Sequence, residues 1–290
     1  MGDMGHAVAR ALREGGHRVL AALDGRSPRT CALAELADAK NVGSLNAMVL
    51  QSDLILSIMP PAAAASFALS VSIEMRNTRS TPVFADCNAL APTTVQEIAR
   101  TVIGFGGKFI DGSIIGAPPG RHAPTRLYVS GPDAEYMTHL AQPNLEIRLL
   151  GTEIGTASSI KMLYAALTKG TMTLDTLVLL GAKQMGLSAP LIKELSESQS
   201  GALERMRGSV PWLAADAERW VGEMEEIAKT FASVGLTDHM HLGSAEIFRL
   251  LASSTFATET RETADRSRGL SEAIAVFASS LSASSRDAAD

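Results

Sequence analysis

A chain of 290 residues with 46% hydrophobic and 20% charged side chains is too apolar for disorder and long enough to bury two cores. Its net charge of −5, with no Lys/Arg-rich run, excludes a broad basic surface, so neither nucleic acid nor membrane is an expected partner. The apolar stretches break well short of the roughly 18 residues a membrane span needs. The two cysteines, Cys31 and Cys87, lack Cys-x-x-Cys spacing, so no disulfide framework and a reducing, cytoplasmic location are expected.

The front half alternates helix and strand patterns. Residues 5–13 read as a helix, 17–23 as a strand, 52–59 as a buried strand closed by Pro60 and Pro61, and 82–86 as another. Short apolar runs at 108–110, 127–130 and 146–150 extend the series, and such alternation predicts parallel strands with helical crossovers. After Gly151 the strand signals stop. Residues 157–182 form one long apolar segment without proline, and 189–206, 215–233 and 243–253 carry helical periods. Small polar residues at 282–290 predict a frayed tail. The expected fold is a Rossmann-like α/β domain over 1–150 followed by an all-α domain over 151–290.

The first motif that carries chemistry is Met1-Gly2-Asp3-Met4-Gly5. Glycines at the start of a helix let the backbone approach a pyrophosphate, and the helix N-terminus offers free amides to the anion, so Gly2, Asp3 and Met4 are candidate cofactor contacts. A doubly wound sheet of this kind also needs a strand before the glycines. An apolar segment of roughly six to ten residues ahead of Met1 is therefore expected, the first strand being absent from the sequence as it stands. About twenty residues after the glycines, where such folds hold the adenosine ribose, stands Leu23-Asp24-Gly25-Arg26-Ser27-Pro28-Arg29. Arginine and hydroxyl groups suit a 2′-phosphate, whereas an acid suits a free 2′-hydroxyl. Arg26, Ser27 and Arg29 thus point to NADP(H), and Asp24 keeps NAD open.

Gly2-x-x-Gly5, Gly25-Arg26-Ser27-Pro28, Ile58-Met59-Pro60-Pro61 and Asp86-Cys87-Asn88-Ala89-Leu90-Ala91-Pro92, in this order, resemble the β-hydroxyacid dehydrogenases related to 6-phosphogluconate dehydrogenase. The resemblance runs along essentially the whole chain. It implies hydride transfer with a nicotinamide cofactor, a loop carrying Met59 and Pro60 over that cofactor, and Asn88 near the nicotinamide ribose. It further implies that Asp111-Gly112-Ser113-Ile114-Ile115-Gly116-Ala117 meets a substrate carboxylate through Ser113, Ile115 and Gly116. Where the family carries serine followed by two glycines, this chain has Ile115-Gly116-Ala117, one polar group fewer.

On the predicted helix over 157–182, Ser158, Lys161, Tyr164, Ala165 and Thr168 share one face. An ammonium among Ala, Ile, Met and Leu is partly desolvated, which draws its amine toward the neutral range that proton transfer requires. An isolated lysine of this kind is ordinarily a snorkelling stem. Its place six residues after Gly155 matches the family's lysine, and that resemblance implies a general acid/base role for Lys161. The family's two asparagines after the lysine are Tyr164 and Ala165 here, so Tyr164 retains a donor and Ala165 does not. The run from Lys161 to Gly170 resembles the poorly characterised branch with its own helical C-terminal domain.

Other features read more plainly. Lys169 is expected to be a solvated or dimer-contact lysine, and Glu223, Glu225 and Glu226 a solvated helix face. Asp238-His239-Met240-His241 has no third ligand at a recognised distance, so no metal is expected. The long helix is apolar nearly all round, which predicts a homodimer with the active site between the domains. The resulting expectation is an NADP(H)-dependent oxidoreductase acting on a carbinol or carbonyl carbon of a small hydroxy-acid-like substrate. Lys161 would move the proton while Tyr164 and Ser113 orient the substrate. Imine reduction and non-catalytic NADP binding stand as alternatives.

Overall fold

The computed structural model describes residues 1–120, 123–261 and 263–287, and the chain divides into two units, Met1–Met162 and Leu163–Asp290. In the first unit the expected alternation is found as α1 (Asp3–Glu14), β1 (Leu20–Ala21), α2 (Pro28–Leu36), β2 (Lys40–Asn41), α3 (Leu45–Gln51), β3 (Leu54–Ser57), α4 (Pro61–Thr78), β4 (Val83–Asp86) and α5 (Pro92–Gly104). β5 (Phe109–Ile115), β6 (Thr125–Ser130) and β7 (Leu145–Leu149) follow. The main sheet has the order β3-β4-β5-β6-β7, with β5 and β6 antiparallel and the other neighbours parallel. All of β4 is buried, as a parallel strand covered on both faces must be. Val83, Ala85 and Cys87 face Val8 and Leu12 of α1, whereas Phe84 and Phe109 face α4 and α5 at Ala68, Val71, Val95 and Ile98. The two Phe rings stack at 6.0 Å, each fully buried ring contributing roughly 1.5–3 kcal/mol.

The strand expected at 17–23 condenses to the two residues of β1, which pairs only with β2 in a separate two-stranded ladder. The carbonyls of Val19 and Ala21 accept from Lys40 and Val42 at 2.9 and 3.0 Å. Leu20 and Ala22 therefore turn their amides and carbonyls the other way. On β3 the carbonyls of Asp53 and Ser57 accept from Val83 and Cys87, both at 2.9 Å, so the backbone groups of Leu54 and Leu56 point away from β4. Both unpaired rows border one cavity of about 1000 Å³.

The apolar run expected at 108–110 lengthens into β5. Antiparallel pairing from Asp111–Ser130 to Ile115–Arg126 carries the ladder through Asp111-Gly112-Ser113 and ends it at Gly116, whose φ of +117° suits only glycine. The first unit extends past Leu150 to take in the opening turns of α6 (Thr156–Gln184).

Every regular element described in the second unit is helical: the rest of α6, α7 (Ser188–Ser198), α8 (Ser200–Ser209), α9 (Ala214–Ser233), α10 (His239–Ala252) and α11 (Leu270–Asp287), with short 3-10 turns between. The single helix expected over 189–206 breaks at Gln199, where φ is −140° and ψ 45°. Ser196 and Ser198 donate back to the carbonyls of Lys193 and Glu194 at 2.6 and 2.9 Å, and such local bonds weaken a helix end. The frayed tail expected at 282–290 is instead helical to Asp287, continuing a helix whose Ile274 and Phe277 are buried; 288–290 lie outside the described residues. Glu223 and Glu226 are buried rather than solvated, because Lys169 pairs with Glu223 and Lys229 with Glu226. Lys169 is correspondingly not a solvated lysine. Its ammonium lies 5.2 Å from the centre of the Trp220 ring, and burial pulls its pKa down against the upward pull of Glu223. Among the described residues no helix is long and apolar enough to cross a membrane.

Candidate active site

The N-terminus of α1 is capped by Gly2 in an extended conformation, and no side chain answers its first amides. Nothing lies within 4 Å of the place a Cβ on Gly2 would take, so the backbone there is open to an incoming group. Asp3 instead pairs with Arg29 at 2.8 Å. Ser27 is the N-cap of α2, its Oγ accepting from the Thr30 amide at 3.2 Å. Among the described residues no carboxylate lies within ion-pair distance of Arg26. Gly2, Asp24, Arg26, Ser27, Arg29, Met59 and Pro60 all line the cavity of about 1000 Å³. Open amides and, among the described residues, a guanidinium without a carboxylate partner on one cavity wall fit an anionic dinucleotide, whereas the Ser27 hydroxyl donates to Thr30 Oγ1 at 3.1 Å.

The end of β4 is organised by Asn88. Its backbone amide donates to Asp86 Oδ1 at 2.9 Å, and its side-chain Nδ2 donates to Asp86 Oδ2 at 3.0 Å and to Ser57 Oγ at 2.8 Å. Its Oδ1 accepts from the Met59 amide at 2.6 Å. Both Nδ2 hydrogens are thus committed, and Asn88 ties the loop after β3 to the end of β4. Asp86 is fully buried. Burial pushes its carboxyl up to about 6 against the pull of the two Asn88 donors, with the neighbouring Asp111 raising and Lys161 lowering it. Burial also pushes the Cys87 thiol up, so it stays protonated. A Cβ on Gly112 would stand 2.7 Å from Cys87 Sγ, so glycine there is what allows β5 to approach this point.

Asp111, on β5, sits under the start of α6. Its Oδ2 accepts from the Gly155 and Ser158 amides at 2.9 and 3.0 Å and from Ser130 Oγ at 3.0 Å, while Oδ1 accepts from Ser158 Oγ at 2.6 Å. Ser130 Oγ in turn accepts from the Ala157 amide at 3.0 Å. Burial raises the Asp111 carboxyl pKa, and the donors from Ser158, Ser130 and Gly155 oppose it. One helical turn on, Lys161 Nζ donates to the Ile114 carbonyl at 3.0 Å. Of the residues expected to meet substrate, Ser113 is fully buried with its Oγ unpartnered, Ile115 is buried, and Gly116 ends the strand. Tyr164 belongs to the second unit, half exposed, its carbonyl accepting from Thr168 Oγ1 at 3.0 Å.

The structure therefore brings Asn88 and Lys161 together with two carboxylates, Asp86 and Asp111, to which sequence reasoning gave no role. The available signal was a carboxylate in each of two largely apolar strands, Val83–Asp86 and Phe109–Ile115. An acid at such a position must be answered by buried donors.

Residues 1–146 match the NAD binding domain of 6-phosphogluconate dehydrogenase, and residues 182–251 match a domain of unknown function, DUF1932. An uncharacterized 28.5 kDa protein from the 7S RNA 5′ region of Methanothermus fervidus is 26% identical over 175 residues, covering 60% of this chain and 66% of that protein. The chain thus spans just under two thirds of the length of this relative. The conserved protein MTH1747, of unknown function and described as structurally similar to 3-hydroxyacid dehydrogenases, is 27% identical, with 86% of this chain and 93% of that one covered at a TM-score of 0.64. The 3-hydroxyisobutyrate dehydrogenase of Mycobacterium tuberculosis, solved with L-serine, shares the fold at 16% identity and a TM-score of 0.63, covering 94% of this chain and 95% of that one.

Asp86 gives the site a pH signature. Its carboxyl holds a proton to about pH 6 in the fold but loses it near 3.8 when unfolded, so stability present in acid is lost as pH rises through that window. The loss is on the order of 2–3 kcal/mol. Asp86→Asn should flatten the decline. Urea midpoints measured at about pH 4 and about pH 7 check this, and an unchanged decline would assign it to another group.

Proposed function

This chain belongs to the family defined by the NAD binding domain of 6-phosphogluconate dehydrogenase, and from that premise we propose that it is an NADP(H)-dependent oxidoreductase acting on a carbinol or carbonyl carbon of a small hydroxy-acid-like substrate. The observation that carries the reading is Lys161, whose ammonium is fixed on the Ile114 carbonyl close enough to the buried Asp86 carboxyl to lower its pKa. When bound, the nicotinamide supplies or accepts the hydride. Lys161, held by its bond to the Ile114 carbonyl, donates a proton to the substrate oxygen in reduction and takes it back in oxidation. Gly2, Asp3 and Met4 meet the pyrophosphate through backbone amides. Asn88 acts through the Met59 amide, holding Met59 and Pro60 against the cofactor. Tyr164 and Ser113 orient the substrate, with Ile115 and the Gly116 backbone beside it.

Turnover tests the lysine. Lys161→Met keeps length and apolar packing, so NADPH consumption over a panel of small 2-oxo and 3-oxo acids should fall roughly 100-fold or more while NADPH binding holds. Parental turnover in the variant would make Lys161 structural.

Cofactor choice rests on Arg26. Arg29 is already engaged by Asp3, whereas Arg26 has no such partner among the described residues, so Arg26→Ala should remove most of the preference for NADPH over NADH and Arg29→Ala less. The lost charge-assisted bond corresponds to roughly 1.5–3 kcal/mol. Equal calorimetric affinities of the parent for NADPH and NADH would refute the assignment.

Assembly as a homodimer is supported by α6. Leu163, Leu167, Leu174, Leu177 and Val178 are all substantially exposed, Leu167 at 71%, and fall within about 100° of one another around the helix. A second copy covers this stripe. Leu167→Glu with Leu174→Glu should yield a monomer by sedimentation velocity, and a monomeric parent at micromolar concentration would overturn the dimer.

A further inference from the structure

We propose that Asp111 is the positioning residue for Lys161, a role that rests on the proton-carrier reading of that lysine and goes beyond it. The two residues never need to touch. β5 holds α6 at two points three residues apart on each element: Asp111 to Ser158, and Ile114 to Lys161. Three residues of strand advance roughly 10 Å. Three residues of helix advance only about 4.5 Å, so the lysine stem spans the difference. The amine reaches the Ile114 carbonyl because the helix start is held where it is.

What holds it is a single carboxylate. Both oxygens of Asp111 are occupied, by two amides of the α6 entry and by two hydroxyls, one of which, on Ser130, also receives the Ala157 amide. The group is fully buried, and no solvent replaces a lost bond. Asp111→Asn keeps the shape but turns one accepting oxygen into an NH2 group facing donors. The entry of α6 must then rotate or shift, and Lys161 shifts with it. A misplacement on the order of 1 Å at a reacting group costs roughly 100-fold in rate.

The test reads Lys161 directly. Acetic anhydride labelling of the folded protein across a pH series, followed by mass spectrometry of the Lys161 peptide, gives the midpoint of its amine. In Asp111→Asn this midpoint should move by roughly half a pH unit or more while surface lysines keep theirs. With the oxo acid that the parent reduces fastest, kcat should fall roughly 10- to 100-fold with the NADPH Kd within about twofold of the parent. In a Lys161→Met background the same substitution should cost nothing further in kcat, because its effect passes through the lysine. An unmoved labelling midpoint, or losses that multiply in the double variant, would overturn the proposal and leave Asp111 as a core support. If Lys161→Met alone keeps parental turnover, the proton-carrier reading fails, and the labelling midpoint still decides whether Asp111 positions the amine. Should Asp111→Asn fail to fold, Ser158→Ala removes the 2.6 Å bond and keeps the carboxylate. It should move the midpoint in the same sense by less, and no movement there would refute the role.

Discussion

A helix that begins inside a protein brings up to four amide hydrogens that its own backbone cannot satisfy, and at the start of α6 Gly155, Ala157 and Ser158 are buried. The constraint is severe because each buried, unanswered group costs roughly 1–3 kcal/mol. Asp111 and Ser130 meet it from two neighbouring strands, β5 and β6. The antiparallel pairing of those strands sets Asp111 opposite Ser130, which is what lets one hydroxyl bond the carboxylate and a helix amide together. Sheet register, helix entry and the placement of Lys161 are in this sense one arrangement.

The second carboxylate works under the same pressure with a different outcome. Asp86 has only the donors of one residue, Asn88, against complete burial, and its proton affinity rises. Asp111 gathers four hydrogen bonds. Two acids on adjacent strands are thereby given unlike environments, and the Lys161 ammonium opposes the upward pull of Asp111 on the Asp86 carboxyl. The glycine at 112 is what permits the close approach of β4 and β5 that makes this economy possible.

Much of this was readable before any coordinates. Periodic patterns located α1 and most of the 29-residue α6, while α2 to α5 were implied only as crossovers; the apolar runs at 52–59 and 82–86 became β3 and β4, of which β4 is buried throughout. The ends of elements were less legible. The break at Gln199 follows from serine side chains competing for carbonyls, and the length of β5 follows from its antiparallel partner, neither of which a single segment reveals. The family resemblance led to Asn88 and Lys161. It gave no role to Asp86, whose donors come from Asn88 and whose burial is set by the fold, or to Asp111, whose bond to Ser158 spans 47 positions.

The divided sheet has a consequence for its own pairing. Leu20 and Ala22 on one side and Leu54 and Leu56 on the other turn their ladder groups toward one cavity, and such rows are templates for a further strand. Natural sheets blunt exposed edges with charge. Arg18 stands at the mouth of β1 with its guanidinium on the Gln51 carbonyl at 2.9 Å, and Asp53 opens β3. A strand laid between β1 and β3 would find partners on both sides, so the two ladders can join into one sheet without either giving up its present pairing.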